Sequence, residues 1–249
     1  MAGFRWTCAA RTDVGRIRHE NEDSVSCSAE SGVFVVADGM GGHAAGEVAS
    51  AIASEWISER LCGTCVSVTL EQVEDRFRIA FVEAGREILR QASENSTRLG
   101  MGTTATVLLL RPDGAWVVGH IGDSRAYLVR DGVISQITRD HSWVQEQVDR
   151  GMITPEQAKN HPQSNIITRA LGTEPYPTPD LYSGTLRNGD MFLLGSDGLT
   201  DMLPEERLLQ VVLEESSSEG AVNRLIREAN LAGGMDNITA LVAHISSLD

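Results

Sequence analysis

The chain has 249 residues, of which 41% are hydrophobic and 22% charged, a composition typical of a soluble globular protein. Its 21 basic and 35 acidic residues give a net charge of −14, which disfavours binding to nucleic acid or anionic membranes and favours bound cations. No apolar run approaches the roughly 18 residues that span a bilayer, and the first residues lack the basic-then-apolar pattern of a secretory signal. We therefore expect a cytoplasmic protein that binds neither nucleic acid nor membrane.

The four cysteines are too few for a disulfide scaffold in a chain of this length. Cys62 and Cys65 have the spacing of a redox or zinc pair, but the sequence offers no second pair to complete a zinc site. We interpret them as reduced, structural thiols, with a redox role as the alternative. Cys8 and Cys27 lie in strand-like runs and are predicted to be core thiols.

The first part of the chain combines strand-like and helical patterns. Apolar residues spaced as on one helix face follow Asp38, and a Thr-x-x-Gln capping box begins an amphipathic helix at Thr69. The apolar face of that helix consists of positions 73, 77, 80, 81, 84 and 88. The predicted elements are strands at 4–12 and 24–28, a strand from Val33, and helices ending near residues 60 and 92.

From residue 103 the apolar pattern changes to a period of two, which is typical of antiparallel strands. Asp113-Gly114 and Asp131-Gly132 lie between alternating apolar runs, as hairpin turns do. The predicted strands are 103–110, 115–120, 125–130 and 133–137.

The segment from about 140 to 179 is predicted to leave the core as a flap. Its first part, 140–150, has a helical pattern, and Thr154 begins a second capping box with proline at the first helical position. The stretch 151–179 is polar and rich in proline. After the flap we expect strands at 181–186, 190–194 and 237–245, and helices at 204–213 and 219–231.

Helices come in two blocks and strands in antiparallel runs, which predicts an α+β fold of antiparallel sheets covered by helices. The sequence has no internal repeat and no low-complexity linker. We therefore expect one domain over residues 1–249.

The segment around Asp38 differs from the two hairpins. The apolar run 33–37 ends on Asp38, meets three glycines and continues into a helix instead of a second strand. Glycines carry no side chains, so a ligand or ion can approach the backbone closely there. This run therefore predicts a site at Asp38 and not a turn.

Three further acids, Asp123, Asp197 and Asp236, lie at the ends of apolar runs beside glycine. A carboxylate near the end of a buried strand is unfavourable unless it is neutralised, and too few basic residues lie nearby. Because hard ions such as Mg²⁺ and Mn²⁺ prefer oxygen ligands, we predict that several of these acids converge on divalent cations. Each also has an alternative: a turn at Asp197, a strand cap at Asp236, and an ion pair of Asp123 with Arg125.

Several segments follow one another in an order that resembles a known family. They read Arg-Ile-Arg at 16–18 and Asn-Glu-Asp at 21–23, Val-Val-Ala-Asp-Gly-Met-Gly-Gly-His at 35–43, Gly-Thr-Thr-Ala at 102–105, Ile-Gly-Asp-Ser-Arg-Ala-Tyr at 121–127, Gly-Ser-Asp-Gly-Leu at 195–199, and Asp-Asn-Ile-Thr at 236–239. Together they resemble the metal-dependent Ser/Thr protein phosphatases of type 2C (PPM) in their bacterial form. The resemblance covers residues 12–239, nearly the whole chain.

The resemblance implies a four-layer α-β-β-α sandwich, with two central antiparallel sheets flanked by helices and two Mn²⁺ or Mg²⁺ ions at one end. Asp38 would bridge both ions. Asp197 and Asp236 would complete the ligands of the first ion, and Glu22 and the Gly39 carbonyl would hold the second.

Two more positions receive roles from the resemblance. Asp123 matches an acid that helps to bind a third, weaker metal ion. Arg18 is the candidate catalytic residue that binds the substrate phosphate, because a guanidinium offers a planar fork to two oxygens; a solvated arginine in a charged loop is the alternative. Met40 stands where many eukaryotic relatives have a histidine proposed as general acid, and His43 could donate the proton or only begin the helix.

The implied function is hydrolysis of phosphoserine and phosphothreonine in proteins. Two cations would lower the pKa of a bridging water from about 15.7 towards neutrality and make hydroxide available for in-line attack on phosphorus. The expected partners are a Ser/Thr kinase of the same bacterial cell and its targets, and we expect a monomer. The alternatives are a non-catalytic phosphoprotein-binding module, which should have lost a metal acid, and a hydrolase of small phosphoesters or nucleic acid.

Overall fold

The computed structural model describes residues 3–41, 44–63 and 68–247. His43 and Cys65, both named in the sequence interpretation, lie outside these residues. The strands are β1 (Phe4–Asp13), β2 (Asp23–Ser28), β3 (Val33–Met40), β4 (Gly102–Thr103), β5 (Ala105–Leu110), β6 (Ala115–Ile121), β7 (Arg125–Arg130), β8 (Val133–Gln136), β9 (Asp180–Thr185), β10 (Met191–Gly195) and β11 (Ile238–Ser247).

The helices are α1 (Ala44–Leu61), α2 (Leu70–Glu94), α3 (Trp143–Asp149), α4 (Pro155–Lys159), α5 (Asp197–Thr200), α6 (Glu205–Glu214) and α7 (Ser218–Leu231), with a 3₁₀ turn at Ser96–Arg98. Within the described residues, none of these helices has the length and apolar character that crossing a membrane requires.

The strands form two antiparallel sheets. One has the order β1-β11-β10-β7-β8, and the other has the order β2-β3-β5-β6-β9, with β4 paired to β3. The first and last strands lie side by side over ten residue pairs, from Phe4 opposite Ser247 to Asp13 opposite Ile238. Residues from both ends of the chain therefore meet at the end of the sandwich where β1 stops and β11 starts.

Alternate residues of β3 face two different cores, as the pleat of a strand requires. Val33, Val35 and Ala37 pack in one cluster with buried residues of α1 and α2. Phe34 and Val36 belong to a second cluster, which is shared with β10 and β11 of the other sheet. A third cluster joins that other sheet to α6 and α7. The layers thus run helix, sheet, sheet, helix, which confirms the predicted fold class.

Local signals in the sequence account for several elements. Thr69 and Thr154 both form capping boxes, and the buried face of α2 contains every predicted position. Asp113-Gly114 joins β5 to β6, and Asp131-Gly132 joins β7 to β8. Asp131 has φ +54° and Gly132 has φ +76°, the left-handed pair of a tight hairpin turn.

The run of strands predicted from residue 103 is split between the two sheets. Strand β6 lies in one sheet and β7 in the other, so the chain crosses between the sheets at Gly122-Asp123-Ser124. Gly122 has φ +109°, and a Cβ atom there would lie 2.5 Å from Thr104 Cβ. Only glycine fits at this crossing, which places Asp123 at the end of the sandwich.

Two predictions need correction. The helix predicted over 140–150 begins later, at Trp143, because Asp140 binds Arg125 and Ser142 is the N-cap of α3. Cys27 is exposed on the edge strand β2 and is not a core thiol, whereas Cys8 is partly buried; Cys62 is an exposed free thiol.

The segment predicted as a flap is fixed to the core at both ends. A β-bridge joins Ser142 to Ile167, and another joins Thr103 to Leu171, which is fully buried. The excursion from the core therefore lies between these bridges and contains α3 and α4. Its action as a flap stays a prediction.

Candidate metal centre

Asp38 lies near the end of β3, and its backbone is fixed by two threonines. Its amide donates to Thr104 Oγ1 at 2.9 Å, and its carbonyl accepts from the Thr104 amide and from Thr103 Oγ1, both at 2.9 Å. Both threonines are fully buried. The carboxylate that the sequence singled out is therefore held on a rigid strand end.

Other carboxylates surround Asp38. Burial, followed by the negative charges of Asp23, Asp197 and Asp123, raises the pKa of Asp38 well above its ordinary value. The side chain of Asp197 also contributes to the raised pKa of Asp38, both through its charge and through its closeness to the Asp38 carboxyl group. Three of the four predicted metal-binding aspartates thus lie in one electrostatic neighbourhood.

The fourth predicted aspartate, Asp236, lies close enough to Asp197 to affect its pKa. Burial, then the charges of Asp201 and Asp236, raises the pKa of Asp197 to about 6. Burial also raises the pKa of Asp123 well above its ordinary value, with Asp197 as the next cause. These acids come from both sheets: Asp38 from the end of β3, Asp123 from the loop after β6, Asp197 from the start of α5 after β10, and Asp236 from the loop before β11.

The donor set fits hard cations. Within the described part of the chain, one oxygen each of Asp23, Asp123 and Asp197 is buried without a hydrogen-bond partner. A buried carboxylate oxygen without a donor is unfavourable, and oxygen-only ligands are those that Mg²⁺ and Mn²⁺ prefer. Among the described residues, no group of three or more His, Cys, Asp or Glu side chains is arranged so that it could hold a metal ion as it stands. The acids lie close enough to one another to raise each other's pKa values. Asp236, however, forms an ion pair with an arginine.

That arginine is Arg18, the predicted phosphate ligand. Its Nη2 donates to Asp236 Oδ2 at 2.7 Å, and both side chains are partly exposed. Asp236 Oδ1 accepts from the amide of Asn237, as the strand-cap alternative predicted. The structure therefore brings Arg18 to the acids, although it lies against a predicted metal ligand.

Glu22 lies against the N-terminal turn of α1. A Cβ atom on Gly46 would come within 2.9 Å of both Glu22 carboxylate oxygens, so this carboxylate lies directly against the Gly46 backbone. Burial raises the pKa of Glu22, while Arg18 opposes the shift. Gly39 is equally confined, since a Cβ there would lie 2.2 Å from the Gly46 carbonyl oxygen. Glu22 and Gly39, the two predicted ligands of the second ion, thus both lie against Gly46 in the first turn of α1.

Asn237 connects the loop that carries Arg18 and Glu22 to the start of β11. Its Oδ1 accepts from the Glu22 amide at 2.8 Å. Its Nδ2 donates to the carbonyls of Val14 at 3.0 Å and Glu20 at 2.9 Å. One amide side chain therefore fixes a loop more than 200 residues away in sequence.

The ion-pair alternative for Asp123 is wrong. Arg125 instead binds both carboxylate oxygens of Asp140, with Nε 3.0 Å from each and Nη2 2.7 Å from Oδ2. The turn alternative for Asp197 is also wrong, because Asp197 begins helix α5. Within the part of the chain that the structure describes, the buried carboxylate of Asp123 thus has no cationic side chain paired with it.

Sequence reasoning missed Asp23. It is buried at the start of β2 and crosses to the other sheet, where Oδ2 accepts from Thr239 Oγ1 at 2.6 Å and Ser196 Oγ at 2.8 Å. Burial raises its pKa to about 7. The available signal was its place at the start of an alternating strand directly after Glu22.

The base of the predicted flap contacts the turn that carries Asp123. The amide of Gly122 donates to His141 Nδ1 at 3.0 Å, and the Gly122 carbonyl accepts from the His141 amide at 2.7 Å. The other ring nitrogen, Nε2, lies 3.1 Å from Asp180 Oδ2 and 2.6 Å from Arg169 Nη1, and Arg169 also donates to Asp180 Oδ1 at 2.8 Å. His141 therefore couples the start of the flap to the crossing between the sheets.

Comparison with known proteins agrees with this arrangement. A protein-family model described as Protein phosphatase 2C matches residues 18–233. The chain belongs to this family. The match includes every predicted site residue except Asp236, which lies just beyond it.

One relative and two solved structures match this protein phosphatase 2C over almost their whole length. The chain is 39% identical over 241 residues to the serine/threonine phosphatase Stp of Listeria monocytogenes, with 93% of each chain covered. The crystal structure of Mycobacterium tuberculosis PstP/Ppp has a TM-score of 0.88 and 39% identity, covering 99% of this chain and 100% of that chain. A structure of the PstP catalytic domain in complex with two manganese ions has a TM-score of 0.87 and 38% identity, covering 98% and 99%.

Proposed function

We propose that this chain removes phosphate from phosphoserine and phosphothreonine in proteins and needs Mn²⁺ or Mg²⁺ to do so. The observation that carries the proposal is the group of buried carboxylates around Asp38 with an arginine at its edge. Relatives named serine/threonine phosphatase, and a relative solved with two manganese ions, support the same reading.

In this proposal Asp38 holds both ions, and Asp197 and Asp236 complete the first ion's ligands. Glu22 and the Gly39 carbonyl hold the second, and Asp123 contributes to a weaker third site. Divalent cations at such a site lower the pKa of coordinated water and offset the charge of a phosphoryl group. The fixed backbones of Asp38 and Gly39 keep these ligands in place.

Arg18 is assigned to bind the substrate phosphate. Its side chain is about half exposed, at 53%, so it can contact a substrate at the surface of the site. A guanidinium has five N–H donors, and the bond to Asp236 occupies one of them. Arg18 can therefore orient two phosphate oxygens while it stays at the edge of the carboxylates.

We further propose that the protein acts in the cytoplasm as a monomer, against a Ser/Thr kinase of the same cell. Free thiols at Cys8, Cys27 and Cys62 suit a reducing compartment. A catalytic role is favoured over a phosphoprotein-binding module because all the predicted metal acids are present.

The experiment is a comparison of substrates and metals. A phosphothreonine peptide, a phosphotyrosine peptide and a phosphodiester are each incubated with the full chain in Mn²⁺, in Mg²⁺ and in chelator. We expect rapid release of phosphate from the phosphothreonine peptide with metal only. Turnover unaffected by chelator would contradict the metal assignment, and preference for the diester would contradict the substrate class. Peptide binding without turnover in any metal would identify a binding module instead.

A further inference from the structure

A basic cavity lies beside the proposed phosphate site, between the end of β1, the loop after it and α7. It has a volume of about 460 Å³. Three arginines line it, Arg11, Arg16 and Arg227, and among the described lining residues Asp13 is the single acid. A local charge of +2 is unusual for a chain whose net charge is −14. We call this cavity the basic side pocket.

Two of the three guanidinium groups are not neutralised. Arg11 donates to Asn223 Oδ1 at 3.0 Å and lies 3.7 Å from Asp13 Oδ2. Arg16 and Arg227, both exposed, form no side-chain hydrogen bond or ion pair within residues 3–41, 44–63 and 68–247. On the same helix as Arg227, by contrast, Arg224 binds three different glutamates.

Asp13 is occupied by other donors. Its Oδ1 accepts from the Gly15 amide and from Asn230 Nδ2, both at 3.1 Å. These bonds hold Asp13 at the end of β1, so it is directed to its own loop and to α7. The positive charge of Arg16 and Arg227 is therefore available to an external anion.

The pocket and the proposed phosphate ligand are built from the same pair of loops. The Arg16 amide donates to the Gly234 carbonyl at 2.8 Å, and a Cβ atom on Gly234 would lie 2.8 Å from Arg16 Cγ. Two positions further on, Arg18 binds Asp236. Two residues of extended chain span at most about 7 Å, so the pocket adjoins the site where the phosphate is proposed to bind.

We propose that the basic side pocket binds an acidic side chain or a second phosphate group of the same substrate polypeptide, about two to four residues from the phosphorylated residue. This rests on the proposed function. Carboxylate and phosphate share the oxyanion geometry that guanidinium groups bind through paired hydrogen bonds. The pocket therefore selects substrates by their sequence near the phosphorylated residue, a property that the acids at the metal site cannot provide.

The test uses one phosphothreonine peptide in four versions, with neutral flanks, with glutamates, with a second phosphoserine, or with lysines. We expect the wild-type chain to have a kcat/KM about tenfold higher for the glutamate or doubly phosphorylated version than for the neutral one, the size expected of one charge-assisted hydrogen bond. In Arg227→Ala and Arg16→Ala this ratio falls towards one. Arg227→Glu should shift the preference to the lysine version.

Arg187→Ala is the matched control, because Arg187 is an exposed arginine whose carboxylate partner, Asp131, lies in a distant hairpin. It should keep the wild-type ratio. Equal kcat/KM for all four peptides in the wild type would overturn the side pocket while leaving the phosphatase activity intact. Preference for only one of the two acidic versions would tell carboxylate from phosphate as the natural group.

Binding is also measured without turnover, by fluorescence anisotropy of the same peptides in chelator. Failure of every peptide to be hydrolysed contradicts the proposed function, whereas the anisotropy ratio between acidic and neutral peptides still tests the pocket. Displacement of the acidic peptide by inorganic phosphate in wild type but not in Arg227→Ala supports the pocket. If inorganic phosphate binds there and the acidic peptide has no advantage, the pocket serves free phosphate and the proposal is wrong.

Discussion

Carboxylates on the outer helices and carboxylates at the end of the sandwich have opposite environments. On α2, Arg90 donates to Glu87 and lowers the pKa of that acid to about 2. At the site, burial and neighbouring acids raise the pKa of Asp197 to about 6 and that of Asp23 to about 7. A surface acid such as Glu87 is thus paired with arginine, whereas the buried site acids Asp23 and Asp197 have raised pKa values that a positive charge would lower.

The paired surface acids and the unpaired site acids should affect stability and function differently. Exposed ion pairs contribute little to folding, so the pairs on α2 and α7 add little to the free energy of unfolding. The unpaired site acids destabilise the fold and are tolerated because the sheets hold their backbones. The two groups of carboxylates should therefore respond in opposite ways to neutral substitution.

The largest expected effect is that of Asp38→Asn. We expect phosphatase activity with Mn²⁺ to fall by more than about 100-fold, since even the outer-shell partners of a metal ligand contribute 10- to 100-fold. In chelator the same variant should melt at a higher temperature than wild type, because it lacks a buried acid whose pKa is raised. Steady-state kinetics and thermal denaturation provide the two measurements.

Asp131→Asn is the matched control for Asp38→Asn. It changes the same residue in an Asp-Gly pair, but in an exposed hairpin turn whose left-handed conformation asparagine tolerates. Neither activity nor melting temperature should change. If Asp131→Asn lost as much activity as Asp38→Asn, the assignment of Asp38 alone to the metal site would be contradicted.

The next effect compares Asp197→Asn with Glu87→Gln as a function of pH, in chelator. Asp197 is neutral in folded and unfolded chains below about pH 4, and its ionisation opposes folding increasingly from pH 4 to 6. Asp197→Asn should therefore be more stable than wild type by up to about 3 kcal/mol above pH 6 and equal to it below pH 4.

Glu87→Gln should show the reverse sign. The stabilising charge of Glu87 is fully present above about pH 4.5 and is lost as the pH falls towards 2. After allowance for solvent screening, we expect a loss below about 1 kcal/mol at pH 7 that disappears in acid. Urea denaturation at each pH measures both variants, and equal signs would contradict the division into paired and unpaired acids.

The smallest effect is expected of Asp123→Asn. The core ligands remain, so the rate at saturating Mn²⁺ should stay close to wild type while the dependence of the rate on metal concentration changes. Titration of activity with Mn²⁺ measures this, with Asp131→Asn as the reference. An unchanged titration would argue against a third metal site at Asp123.

Local sequence patterns predicted the helices and strands, but they did not predict which distant residues contact one another. The period of α2 and the capping box at Thr69 follow from neighbouring residues, so they could be read directly. Asp38, Asp197 and Asp236 were found because an acid after an apolar run is unusual in any fold. Their convergence was a prediction from chemistry and resemblance.

The features that were missed depend on contacts across the sandwich. The partner of Arg125 is Asp140, and no local rule distinguishes it from the nearer Asp123. Asp23 matters because Thr239, in the other sheet, donates to it across 216 positions. The crossing between the sheets after β6 was also missed. A strand has the same period-two pattern whichever sheet it joins, so the pattern does not tell that β6 and β7 lie in different sheets.

The side-by-side pairing of the first and last strands has a consequence for shortened chains. Arg18 meets Asp236, and Glu22 meets Asn237, across 218 and 215 positions, and these contacts require β11. A chain that extends only as far as α7 carries Arg18 and Glu22 but not the residues Asp236 and Asn237 that bind them. The site is therefore incomplete without β11, and we expect a chain shortened after α7 to lack phosphatase activity.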